Sequence, residues 1–311
     1  MDKNYSIKSD YNINERLAVQ KTKKIVGKTI TYLFLAIMAI FVLVPFYWML
    51  NVSLQSYNEV FDSVSISFFP KEFSPQNYIR VFLYSSRSQG GITFSRYLLN
   101  TGVVAGFSTL FGTFFSILVA FALSRLNFKG RELIFTILLA TMMIPGEMMV
   151  ISNYVTVARL GWVNNPGTGS YLAMIVPFLV SIFHIYLLRQ NFKQIPNELY
   201  YAAKVDGCTD RKYLWAVMVP MAKSSIITIT ILKLMGAWNA YIWPDIVAHS
   251  RFKLVTSWLR SSFIDSDAGI QRILINYQMA ATVIVTVPLL LLFVLFRKYI
   301  MSGVSRSGVK G

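Results

Sequence analysis

Charged residues are scarce in this chain of 311 residues. Asp, Glu, Lys and Arg make up 14% of it, whereas hydrophobic residues make up 55%. A soluble domain of this length needs far more polar residues to cover its surface. The low charge therefore excludes an ordinary soluble fold and indicates that lipid surrounds much of the chain.

The chain has only one cysteine and no glycine-rich phosphate loop. The single cysteine, Cys208, excludes a disulfide framework and a zinc site built from paired cysteines. No stretch resembles the phosphate-binding loop of nucleotide hydrolases. We therefore expect no metal, no bound cofactor and no ATP hydrolysis on this chain.

Acidic residues are few as well: 14 Asp and Glu stand against 30 Lys and Arg, giving a net charge of +16. A nucleic-acid site would need a folded soluble face to carry this charge, but the basic residues stand at the ends of apolar runs. We expect no nucleic-acid partner, and we attribute the charge to membrane topology.

Long apolar runs dominate what is present. A helix needs about 20 apolar residues to cross the hydrocarbon core of a bilayer. The sequence predicts an all-α, multi-pass membrane protein with six transmembrane helices. The predicted spans cover residues 29–50, 97–123, 133–155, 171–188, 224–244 and 273–296.

Lys and Arg predict the orientation, because cytoplasmic flanks carry their excess. With the N-terminus inside, the inner segments hold twenty of them and the outer segments nine. Both termini are therefore expected in the cytoplasm.

We divide the chain into a basic tail (1–28), a six-helix domain (29–300) and a C-terminal tail (301–311). The basic tail is expected to be mobile or to form an interfacial helix, and it has no cleavage site typical of a removable signal peptide. The outer segment 250–272 carries little hydrophobic pattern.

The loop 195–220 is predicted to form a helix, a turn and a second helix. Pro196 suits the first turn of a helix, and Glu198 places negative charge near its positive end. Gly207 fits the left-handed position that closes such a helix. Thr209 or Asp210 can cap the second helix.

The first of these helices carries a narrow stripe of small apolar side chains. Its members are Leu199, Ala202, Ala203 and Val205. An amphipathic helix resting on the membrane surface is one interpretation. Small side chains insert poorly into lipid, however, and favour close contact with another protein.

The loop "IPNELYYAAKVDGCTDRKYLWAVMVP" (195–220) resembles the EAA loop of binding-protein-dependent ABC importer permeases. The family pattern is roughly Pro-x-Glu-Leu-x-Glu-Ala-Ala, then Asp-Gly, then a helix ending in Pro. The matching residues are Pro196, Glu198, Leu199, Ala202, Ala203, Asp206, Gly207 and Pro220.

Other segments resemble the six-span permease of the carbohydrate-uptake group, similar to the maltose-type second permease. They are "FFPKEFSPQNYIRVF" (68–82), "LLNTGVVA" (98–105), "AFALSRLNFKGRELIF" (120–135), "MMIPGEMMVI" (142–151), "GAWNAYIWP" (236–244) and "GVSRSGVKG" (303–311). Their order and spacing agree from about residue 25 to the end of the chain.

The resemblance implies a multi-pass protein of a bacterial or archaeal cell membrane. It implies three kinds of partner besides lipid: a second permease, expected to be a different chain, two ATPase subunits that carry ATP and magnesium, and an extracytoplasmic sugar-binding protein. In this family the first loop helix docks in a groove of the ATPase. The resemblance thus assigns ATPase coupling to Glu198, Tyr201, Ala202, Ala203, Asp206 and Gly207.

Two details of the resemblance concern the ATPase. The family's glutamate before Ala-Ala is Tyr201 here, and Glu198, three residues earlier on a neighbouring part of the helix, is the candidate to supply the charge. A Gly- and Ser-rich end is ordinarily frayed. In maltose-type permeases such a tail reaches the ATPase dimer interface, which implies that role for Gly308, Val309, Lys310 and Gly311.

Three ionisable residues lie in predicted spans, where they are costly and usually face an interior or a cavity. Glu147 follows Pro145-Gly146 and belongs either to the transport path or to a kink near the outer end. His184 suits a hydrogen-bonded interior histidine. Lys233 is the deepest and is a candidate cavity residue. The three share no catalytic motif, so we expect no enzyme.

Sugars are bound by fixed polar groups and by aromatic faces. Trp238, Asn239, Tyr241 and Trp243 are therefore candidates for a cavity or gate, with an interfacial aromatic belt as the alternative. Together with Glu147 and Lys233, the first three form the predicted substrate path. The expected substrate is an oligosaccharide or sugar derivative; Lys233 would favour glycerol phosphate or another anionic polyol. A membrane scaffold does not explain the loop and tail together.

Overall fold

A computed structural model describes residues 3–62, 67–88, 92–261, 263–267 and 270–305. The described residues form fifteen α-helices and one small hairpin, so the prediction of an all-α membrane domain is confirmed apart from that hairpin. The first eight helices are α1 (Lys3–Ser53), α2 (Tyr57–Asp62), α3 (Asn77–Ser88), α4 (Phe94–Arg125), α5 (Arg131–Thr141), α6 (Met149–Arg159), α7 (Gly169–Ile175) and α8 (Ile182–Gln194). The others are α9 (Asn197–Val205), α10 (Asp210–Tyr213), α11 (Val219–Met221), α12 (Lys223–Trp238), α13 (Ile242–Val247), α14 (Val255–Ser261) and α15 (Ile275–Ser305).

Shorter elements lie between the helices. Strands β1 (Ile264–Asp267) and β2 (Ile270–Ile273) form an antiparallel pair in which Ile264 faces Ile273. The 3₁₀ turns cover Gly146–Met148, Val176–Phe178 and Ser250–Phe252, and a π-helical turn covers Leu214–Met218.

Three long apolar helices can each cross a membrane by length and composition. They are Gln20–Ser53, Phe94–Arg125 and Ile275–Tyr299. The first belongs to α1, which runs without a break from Lys3 and so includes most of the predicted 1–28 tail in the same helix. In the apolar window of this span none of the residues is buried within the chain. Such a surface requires lipid or a partner around it, since water would make it very costly.

Two helix pairs are candidates for a bent span. One pairs Gly169–Phe178 with Ile182–Gln194 at 45°, and the other pairs Asp210–Met221 with Lys223–Trp238 at 83°. Counting each pair as one span gives up to five candidates in the described chain. The prediction of a single span over 224–244 was wrong in its bounds: α12 ends at Trp238, and residues beyond it begin a separate short helix.

The predicted span 133–155 is divided in the structure. It lies on α5 and α6, two helices of 11 residues each, with a turn and the Gly146–Met148 3₁₀ turn between them. Pro145 has no amide hydrogen to continue the helix, and Gly146 favours departure from helical geometry. The apolar run was therefore a poor guide to helix continuity at this point.

Helix α4 lies at the centre of the bundle and packs against α8 and α12, while α15 packs along α1 and α12. One buried cluster joins these central helices to the 195–220 loop: Phe121 of α4, Leu188 and Phe192 of α8, and Tyr213 and Met218 of the loop belong to it. The loop is thus fixed to the bundle by its own apolar side chains.

Several apolar side chains of the segment 250–272 are buried against the bundle. Val255 and Trp258 of α14 and Phe263 are fully buried, and they pack against Phe94 and Tyr97 at the start of α4. The segment carries little hydrophobic pattern because its buried residues are divided between a short helix and the residue before a strand, so no single period reveals them.

Candidate functional site

Local chain chemistry shapes the two helices of the 195–220 loop. Pro196 precedes the first residue of α9 instead of lying in its first turn, with φ of −55° and ψ of 139°. Thr209 caps α10 as predicted, its hydroxyl accepting a hydrogen bond from the Lys212 amide at 3.3 Å. The predicted helix, turn and helix are therefore present.

Gly207 closes α9 in the left-handed conformation, with φ of +70°. The Cys208 amide donates to the Ala203 carbonyl at 2.8 Å, and the Gly207 amide donates to the Lys204 carbonyl at 3.1 Å. This pair of bonds is the Schellman motif, which favours glycine because a side chain is strained at positive φ. The Asp-Gly sequence thus fixes the direction in which the chain leaves α9.

A polar contact then joins α9 to α10. The Tyr200 hydroxyl donates to Asp210 Oδ1 at 2.6 Å, and Lys204 Nζ lies 2.7 Å from the same oxygen. Hydrogen bonds from Lys204 and then from Tyr200 hold the pKa of Asp210 below its usual value. Asp210 is therefore a carboxylate at neutral pH, and α9 is held at a fixed angle to the second helix.

The face of α9 turned away from the bundle is exposed and has no cover within the described chain. Ala203 packs against the buried cluster of the bundle, whereas Tyr201 is 63% and Val205 88% exposed. The exposed side chains of this face, here called the α9 face, are Glu198, Leu199, Tyr201, Ala202 and Val205. Three of the six predicted coupling residues, Glu198, Tyr201 and Ala202, therefore lie on this face, with Ala203 beneath it and Asp206 and Gly207 at its end.

A cavity of about 700 Å³ lies deeper in the bundle, between α4, the break before α8, α12 and the start of α13. The polar side chains among its lining are Ser108, Ser181, His184, Lys233, Asn239 and Tyr241. Phe178 and Trp243 also line it, with ring centroids 5.6 Å apart in an edge-to-face arrangement. Polar groups beside aromatic faces suit a polyhydroxylated ligand.

Lys233 lies in this cavity but is held by the backbone. Its ammonium donates to the carbonyls of Phe178 at 3.2 Å and Leu179 at 2.9 Å, both at the break before α8. A lysine next to freed carbonyls satisfies groups that would otherwise be unpaired in an apolar region. Lys233 therefore stabilises the broken helix, a role that the sequence analysis did not include.

Gly112 of α4 makes room for this arrangement. A Cβ atom at position 112 would lie 1.9 Å from Lys233 Cε and 2.7 Å from the Leu179 carbonyl oxygen. Three segments of the bundle therefore meet at Gly112: α4, α12 and the break before α8. No short motif marked this glycine in the sequence, because its neighbours here are distant along the chain.

The other predicted path residues are dispersed. Asn239 and Tyr241 line the cavity; Asn239 donates to the Met235 carbonyl at 2.9 Å, and the Arg260 guanidinium lies 4.9 Å from the centre of the Tyr241 ring. Trp238 is buried but does not line the cavity. The backbone of Glu147 lies in the 3₁₀ turn between α5 and α6, and its side chain is outside the described part of the structure.

His184 and the C-terminal tail complete the placement of the candidates. His184 lines the cavity, and its Nδ1 lies 2.6 Å from the Ser181 hydroxyl, in keeping with a hydrogen-bonded histidine. The predicted tail residues Gly308, Val309, Lys310 and Gly311 fall outside the described residues. Within the described part, no group of three or more His, Cys, Asp and Glu residues is placed to hold a metal ion.

Apolar helices long enough to cross a membrane, packed around a cavity with polar lining, are the architecture of a membrane permease. The chain belongs to the family of binding-protein-dependent transport system inner membrane components, whose profile matches residues 112–306. It is the permease component of an ABC importer, which operates with a partner permease, a binding protein and a separate ATPase that hydrolyses ATP; it is not itself an enzyme.

Two curated relatives match nearly the whole chain. The arabinooligosaccharides transport system permease protein AraQ of Bacillus subtilis is 30% identical over 90% of this chain and 94% of its own length. The trehalose/maltose transport system permease protein MalG of Thermococcus litoralis is 30% identical over 88% of this chain and 94% of its own.

A solved structure shares the fold. A chain of a bacterial ABC transporter involved in the import of the acidic polysaccharide alginate superposes with a TM-score of 0.74, covering 88% of this chain and 96% of that one at 23% identity. The family match and the curated relatives confirm the membrane location and the permease class. The predicted orientation of the termini stays a prediction.

Proposed function

We propose that this permease imports a carbohydrate, an oligosaccharide or sugar derivative, delivered by an extracytoplasmic sugar-binding protein. Two relatives named for oligosaccharide or disaccharide transport support this substrate class. The cavity supports it too, because Asn239, Tyr241 and Ser108 can exchange hydrogen bonds with hydroxyl groups beside the aromatic ring of Trp243. Trp238 is not part of this proposed path.

The anionic alternative has less support. Binding of glycerol phosphate or another anionic polyol would rely on Lys233, the one lysine among the cavity's lining residues. Its ammonium already donates to two carbonyl oxygens at the helix break. Recruiting it for an anion would leave those carbonyls without their donor, at a cost of about 1–3 kcal/mol for each buried group.

Coupling to ATP is assigned to the α9 face. The observation that carries this assignment is a helix anchored on one side by Ala203 and the Tyr200–Asp210 bond while its opposite side stays exposed. We infer that the α9 face docks on an ATPase subunit. Asp206 and Gly207 form the C-terminal end of this docking helix. Two such ATPase subunits bind ATP and magnesium. The second permease of the importer is a different chain. The terminal residues 308–311 are proposed to reach the ATPase pair.

The first test reconstitutes the tagged permease with its second permease and ATPase in nanodiscs. We expect the ATPase to copurify, and ATP hydrolysis to rise several-fold when binding protein is added with a neutral oligosaccharide from a maltose and arabinose series. Glycerol phosphate serves as the matched anionic ligand. Stimulation by glycerol phosphate alone would contradict the carbohydrate assignment, and failure of the ATPase to copurify would contradict coupling through this chain.

The charge on the α9 face gives a second test. Glu198 and Tyr201 lie three residues apart on that exposed face, so a carboxylate at either position can reach one partner cation. We expect Glu198→Gln to weaken ATPase affinity about threefold, as for an exposed ion pair. Adding Tyr201→Glu should restore it, whereas Tyr201→Phe alone should change little. Titration of labelled ATPase measures each affinity; unchanged affinity in Glu198→Gln would show that Glu198 does not replace the missing carboxylate.

A further inference from the structure

Two buried arginines lie where α4 and α8 end beside the loop. Arg125 is the last residue of α4, and Arg189 stands in the second half of α8. Their exposed fractions are 7% and 2%, respectively. A buried guanidinium is costly unless its donors are satisfied, so the partners of these two residues show what holds them.

Arg125 reaches from α4 to the junction between α8 and α9. Its Nη1 donates to Asn197 Oδ1 at 2.7 Å, and its Nη2 donates to the Phe192 carbonyl at 2.6 Å and to the Ile195 carbonyl. Phe192 lies in the last turn of α8, and Asn197 is the first residue of α9. One side chain thus binds the end of α8 and the start of α9 to α4.

Arg189 reaches in the opposite direction, from α8 to the end of α4 and to α5. Its Nε donates to the Leu123 carbonyl in the last turn of α4 at 3.0 Å, and its Nη2 lies 2.8 and 2.7 Å from the two oxygens of Glu132 on α5. The guanidinium carbon also lies 3.7 Å from the centre of the Phe135 ring. Each helix therefore supplies an arginine that satisfies carbonyls at the end of the other, where the helix dipole favours a cation.

These contacts restrict relative motion of the three helices. Rotating α9 against α4 would separate the Arg125 guanidinium from Asn197 Oδ1, and shifting α8 against α4 would separate both guanidinium groups from the carbonyl oxygens at the helix ends. Lysine cannot replace this geometry, because its ammonium lacks the planar fork that reaches separated acceptors. The same α4 and α8 carry Ser108 and His184, which line the cavity.

We propose that Arg125 and Arg189 are positioning residues for coupling. Arg125 joins α9 to α4 and to the end of α8, and Arg189 joins α8 to α4 and α5, so that displacement of the α9 face moves the cavity wall. This inference rests on the proposed docking of α9 on the ATPase. The two arginines transmit the displacement of α9 to the bundle, whereas the exposed side chains of the α9 face bind the ATPase.

The test follows the cavity directly and needs no identified substrate. In a Cys208→Ser background, Ala237→Cys places one thiol on the cavity lining. Maleimide labelling is then measured in the assembled importer without nucleotide and after trapping with ATP and vanadate. We expect trapping to change the labelling rate by about fivefold or more with the native arginines.

Arg125→Gln, Arg189→Gln and Arg125→Lys should each bring that change below about twofold, while the ATPase still copurifies and basal hydrolysis stays within about twofold. Lys129→Gln is the matched control, since it removes one positive charge from an exposed residue of the neighbouring turn. It should behave like the parent.

If the arginine variants do not fold, variants of the arginines' partners test the same contacts. Asn197→Ala and Glu132→Gln alter exposed partners and should reduce the nucleotide-dependent change about twofold to threefold, with faster hydrogen exchange at α9 amides in Asn197→Ala. If the labelling rate in these variants still responded fully to nucleotide, the proposal would be overturned. It would also be overturned if the variants lost ATPase binding together with the change in labelling rate. Failure of the parent itself to bind ATPase or respond to nucleotide would overturn the docking of α9 as well.

Discussion

Gly112→Ala is expected to prevent normal assembly of the bundle. The added methyl group would lie 1.9 Å from Lys233 Cε and 2.7 Å from the Leu179 carbonyl oxygen. The lysine side chain can move, but doing so removes the donor from the Phe178 and Leu179 carbonyls, and the backbone oxygen itself cannot yield without shifting the helix break. Overpacking of this kind costs about 1–3 kcal/mol, and each carbonyl left unpaired adds about 1–3 kcal/mol.

Thermal unfolding of the purified permease, followed by its size-exclusion profile, measures this effect. We expect a greatly reduced yield and a melting temperature lower by several degrees. Gly102→Ala and Gly106→Ala on the same helix are matched controls, because a Cβ atom at either position has no neighbour within 4 Å. A melting temperature of Gly112→Ala equal to that of the controls would show that the three segments do not meet as closely as described.

A companion variant separates the two clashes. Lys233→Met combined with Gly112→Ala removes the ammonium and leaves a more flexible apolar side chain. Stability should recover only in part, because the Leu179 carbonyl oxygen would still lie 2.7 Å from the new methyl group. Full recovery would mean that the lysine alone requires glycine at this position.

Ala202→Trp is expected to abolish coupling while the permease itself folds normally. Ala202 is exposed on the α9 face and lies between Glu198 and Val205 along the helix, so an indole there would hold a docked ATPase away from the helix backbone. Loss of a close-packed contact at the centre of an interface can exceed 2 kcal/mol, so we expect ATPase affinity to fall about 100-fold or to become undetectable.

Binding of labelled ATPase to the variant in nanodiscs checks this prediction. Gln194→Trp is the control, since it adds the same bulk to an exposed residue just before α9. Both variants should keep the parent's melting temperature. Parental affinity in Ala202→Trp would place the docking surface elsewhere on the chain and remove the basis for assigning coupling to the α9 face.

Local rules predicted the loop well and the spans less well. Gly207, Thr209 and the sequence between them follow backbone preferences that act over a few residues, so the turn was evident from the sequence. The run 133–155 was misleading because hydropathy does not register the interruption at Pro145. The break after Phe178 was harder still, since its carbonyls are satisfied by Lys233, which lies more than fifty residues along the chain.

Local sequence was also a poor guide to which single residues line the cavity. Asn239 and Tyr241 line it, but Trp238 does not, although the three are close in sequence. Trp238 is the last residue of α12, whereas Asn239 and Tyr241 lie in the turn between α12 and α13. The helix period therefore does not extend from Trp238 to the other two residues, and the sequence does not show where the helix ends. Arg125 and Arg189 were missed because three of their acceptors are backbone carbonyls, which leave no mark in the sequence, and because their side-chain acceptors Asn197 and Glu132 are distant along the chain.

The 83° bend between Asp210–Met221 and α12 determines how a displacement changes direction. At nearly a right angle, a shift of the loop helix along its own axis is directed across the axis of α12. If the α9 face docks on the ATPase as proposed, such a shift would tilt α12, which carries Lys233 and part of the cavity lining, more than it would slide α12 along its length.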